Sequence, residues 1–271
     1  MTKIKAEEVY TEEVGNLYDE AADSKNPKSR DYLLDLAAEN GVDANALVLD
    51  IGCANGGVSR KLLEKTGCKI EGVELLPLLV DMGNKQNKDL GLEDKFNITL
   101  GSITDIPFPD GTFDFVFCND VTGMVEDLET AMAECNRVLK PGGKMLLYAS
   151  FATDRLSERE ARELNDSLGN ASEGTDKPRL LTPLKKNFTI VKEELIGSQF
   201  TQHDVEKTKG DSEAAKNLLK VARLLTWADD YKAKHGGRVY QIVLAEVHWN
   251  VFILIGKLQP TVFIVQKDKL S

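Results

Sequence analysis

Apolar residues along the first half of the chain fall into two alternating patterns, short continuous runs and stretches with helical spacing. The runs are "ALVLDI" (46–51), "KIEGVEL" (69–75), "NITLGSI" (97–103), "TFDFVFCND" (112–120) and "KMLLYASF" (144–151). Runs of this kind predict strands covered on both faces. Between them, Leu33, Leu34, Ala37 and Ala38 share one face of a helix over 28–40, and residues 58–65 and 77–90 predict two more helices. Leu128, Ala131, Met132, Cys135, Val138 and Leu139 define a fourth, cut off by Pro141-Gly142-Gly143. Pro77 takes a favoured first helical position and Gly41 a left-handed helix stop. Strand and helix thus alternate through residue 150, which predicts an α/β fold with a doubly wound, mostly parallel sheet.

The second half is less regular. Ser157 and Glu160 form a capping box opening a helix to about Leu168, and the Gly/Ser/Asp/Pro-rich stretch 169–178 reads as a loop. "NFTIVKEELI" and, near the end, "TVFIVQK" are candidate strands. Between them residues 211–257 read as helical throughout, far longer than an ordinary connection and of the kind that forms lids and substrate caps. The expected organisation is an N-terminal cap segment (1–27), a core built from 28–210 and 258–271, and a helical insertion (211–257) forming a substrate cap or a dimer surface.

Charge narrows the partners. The 271 residues carry 34 Lys and Arg against 44 Asp and Glu, and a net charge of -10 without a concentrated basic block argues against nucleic acid. Cys53, Cys68, Cys118 and Cys135 are scattered, with only three histidines, so no metal site is expected. The N-terminus lacks a secretory pattern, and the most apolar stretch, 239–255, is interrupted by Glu246, His248 and Asn250. A cytoplasmic location without a membrane span is expected.

The candidate chemistry begins at "LVLDIGCANGGVSRKL". Gly52, Ala54 and Gly56 lie after a strand and before a helix, where backbone N–H groups and the helix N-terminus approach a nucleotide-type ligand. Glu74 ends the second strand, 22 positions beyond Gly52, where a carboxylate accepts both hydroxyls of a ribose. "GCANGG" fits a dinucleotide turn as well as one for S-adenosylmethionine. Asp50 favours the second, because it would repel a pyrophosphate and attract the cationic amino group of a methionine moiety.

With these residues the chain resembles the class I S-adenosylmethionine-dependent methyltransferases, nearest to their ubiquinone/menaquinone-biosynthesis-like small-molecule branch. The segments that carry the resemblance are "VLDIGCANG", "IEGVELLP", "LGSITDIPFPDGTFDFVFCND" and "AECNRVLKPGGKMLL", spanning about 47–150. It implies a Rossmann-like sheet of seven strands, the last antiparallel at the sheet edge, with "TVFIVQK" in that place and "NFTIVKEELI" as the sixth. It implies that Asp50, Gly52, Cys53, Ala54, Asn55 and Gly56 line the methionine and ribose of the cofactor. Glu74 takes the ribose hydroxyls, Leu75 lies against the adenine, Ser102 and Ile103 meet its edge, and Asn119 sits beneath the reactive methyl. Ala54 stands where the family has a glycine, Ser102 where it commonly has an aspartate, and Leu76 where a serine is common.

A sulfonium methyl is already activated, so alignment and exclusion of water are the protein's main tasks. An oxygen or carbon nucleophile also needs a base. His248, beside Trp249 in the apolar helical segment, is the first candidate, and His203, on the loop before the insertion, the second. Tyr18, Asp120 and Trp249 are candidate substrate-pocket residues, beside Tyr10 and the apolar surface of the insertion. The expected acceptor is a small, hydrophobic or aromatic molecule, with a homodimer as the other use of that surface. The competing readings are an inactive cofactor-binding regulator of the same fold and a nicotinamide-dependent oxidoreductase, for which no Ser/Tyr/Lys set is evident.

Overall fold

A computed structural model describes residues 13, 16, 17, 20, 21, 23–209 and 212–268. The alternation read from the first half is present: α1 (Tyr32–Glu39), β1 (Leu47–Ile51), α2 (Gly57–Thr66), β2 (Lys69–Glu74), α3 (Pro77–Asp89), β3 (Phe96–Leu100), β4 (Phe113–Asn119), α4 (Leu128–Val138) and β5 (Leu139–Ala152). There follow α5 (Glu158–Leu168), α6 (Lys177–Asn187), β6 (Thr189–Leu195), α7 (Gln199–Lys207), α8 (Glu213–Thr226), α9 (Ala228–His235), α10 (Gly237–Leu254) and β7 (Leu258–Gln266). Seven strands form one sheet in the order β3-β2-β1-β4-β5-β7-β6, parallel except for β7.

Both faces of the sheet are covered, as the unbroken apolar runs require. Ile51, Val116, Cys118, Met145 and Leu147 face α4 and α6, whereas Val48, Phe115, Phe117, Leu146 and Ile264 face α1, α2 and α7. Helices α5 and α10 pack on each other through Leu164, Ala245, Phe252 and Ile253, above the end of β5 and the start of β7. Among the described residues no helix is long and apolar enough to cross a membrane.

Three details differ from the sequence reading. β7 is antiparallel as expected but lies between β5 and β6, and β6 is the edge strand. Residues 260–265 of β7 are all buried, whereas β6 alternates between exposed and half-buried positions, as an edge strand does. Helix α6 begins inside the stretch expected to be a loop: Pro178 opens it, and Leu180 and Leu184 are buried on one face despite Pro183 within it. The helical excursion starts at Gln199, so His203 is on α7 and not on a loop.

Candidate functional site

Three residues of the turn after β1 take left-handed backbone conformations, Gly52 at φ +66°, Ala54 at +49° and Gly56 at +81°. Gly52 and Gly56 are also sterically required. A Cβ on Gly52 would lie 2.4 Å from Val121 Cγ2, and one on Gly56 would lie 2.5 Å from Phe96 Cε1. Ala54 holds its conformation with a side chain present, which costs roughly 1–2 kcal/mol. Glu74 fixes it there: its Oε2 accepts from the Ala54 N–H at 3.0 Å, while Oε1 accepts from the Leu76 N–H at 2.9 Å.

Strand register gathers the acidic side chains. Asp50 pairs with Gly72 of β2 and Phe117 of β4, so Asp50, Glu74 and Asn119, each an even number of residues along, project from one sheet face at the carboxyl ends of adjacent strands. Asp50 is 4% exposed and Glu74 7%. Burial, opposed by a hydrogen bond from the Ser59 hydroxyl and reinforced by the charge of Glu74, lifts the Asp50 carboxyl to about 7. Ser59 was not anticipated, although a serine beside Leu62 and Leu63 on the buried face of α2 is the sequence mark of such a partner.

Asn119 pairs with Tyr148 of β5, which continues the same face toward Ser150. Tyr148 stacks on Phe200 of α7 with ring centroids 5.8 Å apart. Asn119 Oδ1, Ser150 Oγ and His203 Nδ1 are buried with no hydrogen-bond partner among the described residues. Asp120, at φ +61°, closes β4 by donating its N–H to the Tyr148 carbonyl at 2.8 Å. Water reaches Asp120, yet protein atoms crowd its carboxyl and raise it to about 6, against the opposing charge of Arg30. Arg30 also lies 3.9 Å from Asp204 of α7. Arg30 and Tyr148 are neighbours of Asp120 that sequence reasoning missed, since neither belongs to a spaced motif.

The remaining predicted residues divide. Leu75 is exposed beside Glu74, with Leu76, Leu78 and Met82 following it, an apolar ledge at the strand tip. Ser102 is half-buried and shares a 2.8 Å hydrogen bond with Thr104, whereas the Ile103 side chain is buried in the core, which leaves its backbone for any ligand. Cys53 packs toward Gly72, and the Asn55 carbonyl accepts from Arg60 at 2.8 Å. His203 lies on α7, which packs against Tyr148 through Phe200. His248 and Trp249 are not brought to the strand tips. His248 stacks on Phe252 at 5.0 Å in a groove of about 1190 Å³ between α5 and α10, lined by none of the turn residues, and burial lowers its pKa. Trp249 packs against the α5–α10 cluster. Tyr18 and Tyr10 lie outside the described residues.

The site therefore offers acceptors: two carboxylates and an amide oxygen on neighbouring strand tips. It suits a ligand rich in donors and positive charge and repels a phosphate. S-adenosylmethionine, with an ammonium, a sulfonium, two ribose hydroxyls and an exocyclic amine, meets that demand. The mostly parallel seven-stranded sheet is Rossmann-like, as in the methyltransferase structures whose fold it resembles.

Residues 49–147 match the family described as "Methyltransferase domain". The chain is 34% identical over 123 residues to the sterol 24-C-methyltransferase of Eremothecium gossypii, a match covering 45% of this chain and 33% of that protein. It is 34% identical over 110 residues to the sterol 4-C-methyltransferase strm-1 of Caenorhabditis elegans, covering 41% and 33%. The matches thus span about a third of the length of these relatives. The fold resembles that of geranyl diphosphate C-methyltransferase from Streptomyces coelicolor A3(2), solved with Mg2+, geranyl diphosphate and S-adenosyl-L-homocysteine. The TM-score is 0.64 at 16% identity, over 87% of this chain and 78% of that one.

Proposed function

We propose that this chain transfers the methyl group of S-adenosylmethionine to a small, hydrophobic acceptor. The observation that carries the reading is the convergence of Asp50, Glu74 and Asn119, all acceptors, on the glycine turn from adjacent strand tips. Bound there, S-adenosylmethionine supplies an activated sulfonium methyl. Asp50 would neutralise its ammonium group, Glu74 would accept from the ribose hydroxyls with the lone pairs that Ala54 and Leu76 leave free, and Leu75 would cover the adenine face. The orphaned Asn119 Oδ1 gains a donor in that arrangement. Ser102 and the Ile103 backbone would meet the adenine edge.

The acceptor would approach over the exposed Asp120, beside Arg30. Asp120 is the base this geometry favours for an acceptor that must lose a proton, because the residue is exposed at the tip of β4 and its carboxyl is raised to about 6. His203, on the flanking helix, is the second choice. His248 and Trp249 are assigned to packing of the cap. The relatives' acceptors, sterols and geranyl diphosphate, are largely hydrocarbon, which favours a lipophilic acceptor over a polar metabolite.

Incubation with S-adenosylmethionine and a panel of sterol, prenyl and aromatic acceptors is expected to release S-adenosylhomocysteine with at least one of them. Binding without release across the panel would favour a non-catalytic regulator. In calorimetry, Glu74→Ala should weaken S-adenosylmethionine by a hundredfold or more, since each lost charge-assisted hydrogen bond is worth roughly 1.5–3 kcal/mol. Unchanged affinity would refute the placement of the ribose.

A further inference from the structure

Among the described residues, three buried side-chain atoms have no hydrogen-bond partner: Asn119 Oδ1, Ser150 Oγ and His203 Nδ1. Buried polar atoms are otherwise nearly always paired, because leaving one unpaired is costly. All three belong to one region of the fold. Asn119 pairs with Tyr148 in the sheet and Ser150 follows Tyr148 by two residues, so these three side chains project from the same face. Helix α7 packs on that face. Just before it, the Ile196 and Gly197 N–H groups donate to the Pro260 carbonyl at 2.9 and 3.1 Å, and Pro260 is the β7 neighbour of Ser150. Phe200 then stacks on Tyr148, and His203, one turn further, lies on the Phe200 side of the helix. Ser150 and His203 thus border the layer between α7 and the carboxyl end of β5.

The cofactor accounts for Asn119 but is assigned to neither of the other two. Ser150 is 6% exposed, and β5 runs on past its last pair with β4, Asn119 with Tyr148, so no strand flanks Ser150 on that side. One neutral hydroxyl satisfies both orphans, donating to His203 Nδ1 and accepting from Ser150 Oγ. An anion suits the place less well. Asp204 Oδ1 lies 3.6 Å from His203 Nδ1, Asp120 stands at the neighbouring strand tip, and a single cation, Arg30, serves both carboxylates. A plain hydrocarbon would leave both atoms buried and unpaired.

We infer that Ser150 and His203 recognise a neutral hydroxyl group of the methyl acceptor, which makes that acceptor a lipophilic alcohol or phenol. The inference rests on the proposed methyl transfer only in calling the molecule an acceptor.

Crystals of the full chain with S-adenosylhomocysteine, soaked separately in phenol, toluene and phenyl phosphate, test it, together with calorimetry of the same three probes. Phenol should place its oxygen within hydrogen-bond distance of Ser150 Oγ and His203 Nδ1 and bind roughly tenfold or more tightly than toluene, the worth of a neutral hydrogen bond. Ser150→Ala and His203→Leu should each remove that preference, and Ser150→Ala should leave the thermal midpoint of the ligand-free protein unchanged or higher, since no bond within the chain is lost. Phenol absent from the layer, phenyl phosphate preferred, or a lowered midpoint for Ser150→Ala, the mark of a structural partner, would overturn the inference. Turnover confined to hydrocarbon or diphosphate acceptors would overturn it while keeping the methyltransferase. Phenol seated on Ser150 in a protein that releases no S-adenosylhomocysteine with any acceptor would uphold the hydroxyl site and contradict the transferase reading.

Discussion

Asp50 shows how a residue is held against its own preference. Its carboxyl sits at about 7 in the folded chain against 3.8 for an unperturbed aspartate, because burial and the neighbouring Glu74 charge disfavour the anion more than Ser59 favours it. Between those two values the folded state keeps a proton that the unfolded chain has lost. Stability therefore falls as pH rises from about 4 to 7 and is level above, by up to about 4 kcal/mol in all. Asp50→Asn, which keeps an acceptor for Ser59, should raise the denaturation midpoint of the ligand-free protein at pH 8 and weaken S-adenosylmethionine; a lowered midpoint would contradict this account. Asp120 yields a second pH prediction. With its carboxyl near 6, turnover should decline below about pH 6, and Asp120→Asn should remove that limb along with most of the activity. Glu74 and Asp50 were legible in the sequence because a strand end and a glycine turn fix where their side chains emerge. Arg30, Tyr148 and the Ser59 hydrogen bond were not, since each depends on which strands and helices become neighbours across long separations in the chain.

At the scale of elements, the turn between β1 and α2 is built against the segment that follows β4. Gly52→Ala adds both a left-handed strain and a Cβ 2.4 Å from Val121 Cγ2. A loss of about 2–4 kcal/mol in stability is expected from the two together, and Val121→Ala in the same chain should restore part of it. Denaturant unfolding of the single and double variants measures this, and strict additivity would mean that the clash is absent. The exposed edge of the sheet is tied down differently. Glu194 of β6 holds Lys28, Lys192 and the Tyr32 hydroxyl, and although burial works against the anion, those three donors bring its carboxyl down to about 2. Its contribution is present above the unfolded value of 4.5 and lost as pH falls toward 2, so Glu194→Gln should flatten the acid limb of the stability profile. Sequence pattern revealed the five central strands because they are covered on both faces. The edge position expected for β7 came from the resemblance, whereas its fully apolar run reports burial on both faces, and the pattern missed α6 because Pro183 masked the spacing of Leu180 and Leu184.

The whole molecule joins a Rossmann-like core to four helices, α7 to α10, inserted between β6 and β7. The core's buried carboxylates at the strand tips suit a ligand with positive charge. Cofactor binding should stabilise the fold as a unit: at a hundred times its dissociation constant S-adenosylmethionine should add about 2.7 kcal/mol, read as a rise in thermal midpoint that Glu74→Ala abolishes. The most direct test of the central claim is a crystal structure with S-adenosylhomocysteine. The account predicts both ribose hydroxyls on Glu74 and the amino group beside Asp50. Electron density placing the adenosine elsewhere, or the ribose away from Glu74, would contradict it.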